Sequence, residues 1–121
     1  MIRGVDLFEF AVRDAKTTIA FYKDVLGMTP TDEDDRGAEF TFANGTTFGI
    51  WQPDGEYPIG AGVMFAVDDA RAAVEQLRAR GAQLCNVVES RVCFMSWGTD
   101  PEGNRFIIHQ RKVEGVGRGK E

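Results

Sequence analysis

The chain has 121 residues, 43% of them hydrophobic and 27% charged, with a formal net charge of −5. That size and balance fit one globular domain with a real core, and the negative charge excludes a phosphate-backbone partner, so no nucleic acid is expected. The first residues meet Asp6 at once and no apolar run approaches membrane-spanning length, so neither a signal peptide nor a membrane partner is expected. Cys85 and Cys93 form no C-x-x-C pair and read as free buried thiols of a cytoplasmic protein.

In chain order, Val5–Val12 reads as a strand from its β-branched and aromatic residues. Asp14 caps a helix that turns Ala15, Ile19, Tyr22 and Leu26 to one face and stops at Gly27. Three strands follow at about Met28–Glu33, Ala38–Phe42 and Thr46–Gln52. Their turns fall at Asn44-Gly45 and at the acidic run Asp32 to Arg36, which reads as solvated rather than as a cation site. Pro53 to Gly60 is a linker. Gly62–Val67 is again a strand, and Asp68 or Asp69 opens a helix with Ala70, Ala73, Val74 and Leu77 inward, stopped at Gly81. Strands at about Gln83–Val88, Arg91–Trp97 and Asn104–Gln110 complete the pattern, the last preceded by the turn Asp100-Pro101-Glu102-Gly103. Residues 113–121 hold three glycines and no large apolar group, and are expected to be disordered.

The chain repeats itself. Phe10-Ala11-Val12-Arg13-Asp14-Ala15-Lys16 recurs 55 positions later as Phe65-Ala66-Val67-Asp68-Asp69-Ala70-Arg71, and Gly45 to Gln52 lies over Gly103 to Gln110. The predicted architecture is α+β: a first βαβββ module over 1–52, a linker over 53–61, a second βαβββ module over 62–112 and a tail over 113–121. The modules are expected to form one domain with a curved mixed sheet and a concave cleft.

Two motifs carry a family resemblance. Phe21-Tyr22-Lys23-Asp24-Val25-Leu26-Gly27-Met28 resembles the FYxxVLG segment that ends the first helix of vicinal oxygen chelate proteins, the glyoxalase/bleomycin-resistance superfamily. Asp100-Pro101-Glu102-Gly103-Asn104 is similar to its DPDGN turn before the last strand. The resemblance implies a sheet cleft and a homodimer, and a range of activities that includes glyoxalases, dioxygenases, epimerases and drug-binding resistance proteins. In its metalloenzymes, His, Glu or Gln ligands stand on the first and last strands of each half. Those positions fall here on Leu7, Gly49, Gly62 and Ile107, none of which can donate an electron pair to a metal. No metal and no cofactor are therefore expected.

Strand alternation turns Phe8, Phe10, Val12, Val63, Phe65 and Val67 toward the helices. Leu7, Glu9, Ala11, Gly49, Trp51, Met64, Ala66, Ile107 and His109 then face the cleft, with Cys93, Met95 and Trp97 assigned to the same wall and Phe40 and Phe42 to another. Gly49 and Gly62 leave room where the metalloenzymes put ligands. Glu9 is costly in an apolar strand unless paired, with His109, an arginine or a ligand as the candidate partner. His109 reads as structural or as a proton carrier. Cys93 reads as a buried hydrophobe, because a nucleophile needs a nearby base and the sequence offers only the distant His109.

The expected function is sequestration or carriage of a small, partly aromatic molecule, with a small-molecule ligand and a second copy of the chain as partners. The alternatives are a metal-dependent lyase, isomerase or dioxygenase of the same superfamily, a metal-free acid/base enzyme using Glu9 and His109, and a non-catalytic interaction module.

Overall fold

A computed structural model describes residues 1–112; the tail expected over 113–121 lies outside them. The first module runs β1 (Gly4–Ala11), α1 (Ala15–Ala20), β2 (Asp32–Asp34), β3 (Gly37–Thr41) and β4 (Thr47–Trp51). The second runs β5 (Gly60–Ala66), α2 (Ala70–Ala79), β6 (Val88–Glu89), β7 (Cys93–Thr99) and β8 (Arg105–Arg111). The expected pair of βαβββ modules is present. In each, the first and last strands lie parallel and the others antiparallel, in the orders β2-β3-β4-β1 and β5-β8-β7-β6.

The residues fall into two compact units, and the boundary cuts β1: Leu7–Ala61 form one, and Met1–Asp6 join the described residues from Gly62 onward in the other. The start of β1 is tied there by the Arg3 amide, which donates to the Ala66 carbonyl at 2.9 Å. This division puts Asp6 in the second module's unit although it lies on the first module's strand.

The repeat extends to single hydrogen bonds. Asp14 accepts from the Thr17 amide, and Asp69 from the Ala72 amide, each at 3.1 Å, so Asp69 rather than Asp68 is the second cap. A glutamine at the end of each module's last strand then satisfies one more orphan helix donor. Gln52 accepts from the Ala15 amide at 3.0 Å and Gln110 from the Ala70 amide at 2.8 Å.

Beneath α1, the buried core is Ala15, Ile19, Ala38, Phe40 and Ile50; beneath α2 it is Val67, Ala70, Ala73, Val74, Leu84 and Ile108. Each large apolar side chain so buried contributes roughly 1.5–3 kcal/mol. Phe40 therefore belongs to the packing between sheet and helix, not to a cleft wall, and its ring stacks at 6.0 Å on Phe48. Phe42 lies just past the end of β3 and is exposed.

Two other expectations are corrected. After α1 the chain is wound as a π-helix over Phe21–Val25. The wider turn keeps Tyr22 inward, 5.2 Å from the Phe48 ring, but rotates Leu26 outward, where it is exposed with Phe21 and Val25. The strands expected at Met28–Glu33 and Gln83–Val88 shrink because their backbone groups are engaged elsewhere. The Met28 amide donates to the Tyr22 carbonyl and Pro30 has no N–H to give. In the second, the Leu84 carbonyl accepts from Arg78 at 2.8 Å and the Cys85 carbonyl from Ser96 at 2.6 Å, leaving one isolated bridge between Leu84 and Gly98. Among the described residues, no helix is long and apolar enough to cross a membrane.

Candidate functional site

In each module, the sheet face turned from the helix carries one polar cluster. In the first, Leu7, Glu9 and Ala11 of β1 alternate with the helix-facing Phe10, and the parallel register sets Glu9 beside Gly49 and Ala11 beside Trp51. Glu9 is 1% exposed. The Trp51 indole N–H donates to its Oε1 at 2.7 Å, and the Tyr57 ring meets the Trp51 ring edge-on at 4.8 Å. A hydrogen-bonded partner offsets much of the cost of burying this carboxyl. The Trp51 indole is thus one hydrogen-bond partner of Glu9. The space expected over Gly49 is taken as well: a Cβ there would stand 2.8 Å from Leu7 Cδ1.

In the second module, the register pairs Met95 with His109 and Trp97 with Ile107 across β7 and β8, and sets Met64 beside Ile107 on β5. Cys93 and Arg111 pair next along the same face. His109 is central to this cluster. Its Nδ1 lies 2.7 Å from Asp6 Oδ2, with both side chains largely buried, and Cys93 is its diagonal neighbour across β7 and β8 on the same face. Ser90 Oγ lies 3.3 Å from Cys93 Sγ and accepts from the Cys93 amide at 3.1 Å. Arg111 Nε stands 3.9 Å from Asp6 Oδ1.

The electrostatics follow from these contacts. Burial alone would lower the His109 pKa, but hydrogen bonds to Asp6 and Cys93 and the charges of both raise it from 6.5 to about 9. Burial would push the Cys93 thiol up, yet the His109 hydrogen bond and charge, Ser90 and Arg111 together hold it below the ordinary thiol value. Asp6 is likewise raised by burial and lowered more by His109, Arg111 and Arg3. At neutral pH the ring is an imidazolium donating to the Asp6 carboxylate, with the Cys93 thiol the second group that favours its charge.

Asp6 is the candidate site residue that sequence reasoning missed. Alternation groups it with Phe8 and Phe10, toward the helix, whereas its carboxylate meets His109. The available signal was a second carboxylate in the apolar strand that also carries Glu9.

Each of the two βαβββ modules thus carries a buried polar cluster on its helix-free sheet face. A family model described as the Glyoxalase/Bleomycin resistance protein/Dioxygenase superfamily matches residues 4–108, and the chain belongs to that superfamily. No curated protein matches it. Among solved structures, a protein described as an NAD-dependent benzaldehyde dehydrogenase from Legionella pneumophila is 21% identical, with a TM-score of 0.74 over 88% of this chain and 98% of that one. Methylmalonyl-CoA epimerase of Streptomyces coelicolor in complex with 2-nitronate-propionyl-CoA is 14% identical, with a TM-score of 0.69 over 93% of this chain and 100% of the other. The Mn(II)-bound glyoxalase of Novosphingobium aromaticivorans is 20% identical, with a TM-score of 0.57 over 97% of this chain and 43% of that chain. At these identities the likeness is one of fold.

The family resemblance puts metal ligands at four positions that carry no side-chain donor in this chain. Leu7, Gly49, Gly62 and Ile107 offer no donor atom, and Leu7 fills the space beside Gly49. Among the described residues, no group of three or more His, Cys, Asp or Glu side chains is arranged to hold an ion. Asp6 is hydrogen-bonded to the His109 ring, and Cys93 lies diagonally across β7 and β8 from it.

Proposed function

We propose that this protein is a metal-free member of its superfamily that binds a small, partly aromatic molecule on the helix-free face of a module. One observation carries the reading: the family's ligand positions hold Leu7, Gly49, Gly62 and Ile107, with the Leu7 side chain packed where a group on residue 49 would stand. The second module's face supports it, since half-buried Met95 and Trp97 supply apolar surface beside the buried Met64, Ile107, His109 and Cys93, the usual mix of a small-molecule site. A homodimer, implied by the family resemblance, is part of the proposal and is read out by sedimentation.

The test is thermal unfolding of chelator-treated protein, alone, with divalent metals, and with a library of aromatic and cationic molecules. A ligand at a hundred times its Kd adds roughly 2.7 kcal/mol to the native state, which is visible as a rise in Tm. The chain has two tryptophans, Trp51 in the first module and Trp97 in the second. Fluorescence of Trp51→Phe and Trp97→Phe variants then reports which module takes the ligand. Stabilisation by small molecules without metal supports the proposal, and stabilisation by a divalent metal alone overturns it.

A further inference from the structure

The sequence makes Cys93 a buried hydrophobe for want of a base, and the structure supplies that base. His109 lies diagonally across β7 and β8 from Cys93 on one face, and Asp6 fixes its ring, with the Nδ1 to Oδ2 distance at 2.7 Å. Ser90 holds the sulfur from a second direction at 3.3 Å. The whole cluster lies in one compact unit, and Cys93 keeps 9% of its surface exposed. A thiol beside an imidazole that a carboxylate orients is the arrangement that activates a nucleophile.

We propose that Cys93 is a nucleophilic thiolate paired with the His109 imidazolium, and that it captures small conjugated carbonyl compounds by addition. Sγ forms a bond to the β-carbon, the electron pair of the carbon–carbon double bond moves to the α-carbon, and His109 delivers its proton there. No group leaves and no oxidant is required; the product is a thioether, and neutral His109 regains a proton from water. The chemistry suits the setting. A narrowly exposed thiol admits a small electrophile, and half-buried Met95 and Trp97 on the same face favour one with an apolar body. The charged groups around the pair are Asp6 and Arg3 from the first strand and its approach, and Arg111 from β8. Arg111 acts with His109 to favour the thiolate, while Asp6 holds the imidazolium. The proposal does not require the binding reading above and stands or falls separately.

The experiment follows adduct formation on native protein by intact mass and peptide mapping, with half-buried Cys85 as the internal comparison. Iodoacetamide is used across the pH range and methyl vinyl ketone at neutral pH. Cys93 should react faster than Cys85, with a rate that levels off below pH 9.0, the ordinary thiol value. His109→Asn should slow Cys93 at neutral pH by about tenfold for each pH unit its titration moves up, less the partial gain in nucleophilicity of a more basic thiolate. Asp6→Asn should give a smaller change in the same direction, and Cys93→Ser should lose the fast adduct altogether. Each variant is first checked for cooperative unfolding, so that slow reaction is not confused with misfolding. An ordinary thiol pH profile for Cys93, or an unchanged profile in both folded His109 and Asp6 variants, overturns the thiolate pair. Rapid reaction with iodoacetamide but none with methyl vinyl ketone overturns the assignment to conjugated carbonyls.

Discussion

His109 is the only histidine, so its C2–H proton gives one resolvable signal in a one-dimensional NMR titration. The structure places its pKa at about 9 instead of 6.5, a preference for the imidazolium worth roughly 3 kcal/mol in this buried setting. Asp6 supplies the larger hydrogen-bonding share of that preference and Cys93 the next, both against burial. Asp6→Asn keeps the side-chain shape and removes the charge. The titration midpoint should fall from near 9 toward 6.5, and Cys93→Ala should lower it by a smaller step. The sign of the stability effect follows by linkage. A group whose folded pKa is raised contributes fully below its unfolded value, here pH 6.5, and loses that contribution as pH rises through about 9. Urea unfolding should therefore separate wild type from Asp6→Asn more at pH 6 than at pH 9.5. A wild-type midpoint near 6.5, or an Asp6→Asn midpoint unchanged near 9, would refute the relay.

Three further outcomes test the packing on which both clusters rest. Gly98→Ala would place a Cβ 2.4 Å from the Gln83 backbone carbonyl, which cannot rotate away, so chemical denaturation should show a loss of about 3 kcal/mol, the upper part of the range for overpacking. Gly49→Ala meets only the end of the Leu7 side chain, at 2.8 Å, which can change rotamer, so the same measurement should show about 1 kcal/mol. Equal costs at the two sites would contradict this reading. Trp51→Phe removes the N–H that Glu9 accepts and should lower stability by about 1–3 kcal/mol, with Glu9→Gln as the comparison that keeps an acceptor; an unchanged Tm would show that the 2.7 Å contact is energetically silent.

The helix-facing half of the molecule was legible in the sequence because the same packing problem is solved twice. Asp14 and Asp69, Ile19 and Val74, and Gln52 and Gln110 recur because each module must cap and cover its own helix. Phe40 was misplaced because alternation gives two faces but not which one meets the helix, and only the aromatic contacts with Phe48 settle it. Leu26 was misplaced because a π-turn breaks the helical period that the prediction assumed. The partners of Glu9, His109 and Cys93 were not legible. They depend on contacts across 42, 103 and 16 positions of sequence, which no local pattern encodes.

The helix-free sheet face shows where the two modules differ. Trp51 and His109 occupy equivalent positions, one past Ile50 and the other past Ile108, and each is bound to a carboxylate from β1. Glu9 serves the first module and Asp6 the second, three residues apart and so on opposite faces of the strand. The two carboxylates therefore meet unlike partners. An indole can only donate, so its pair with Glu9 anchors a ring but does not pass a proton through it. An imidazole can donate on both sides and release a proton, and only here does a thiol stand within reach. If the repeat began as two equal modules, the second kept the chemistry-bearing position and the first became its structural counterpart. The single-site variants above separate these roles: changes at Glu9 or Trp51 should move stability and leave the reactivity of Cys93 alone, while changes at Asp6 or His109 should move both.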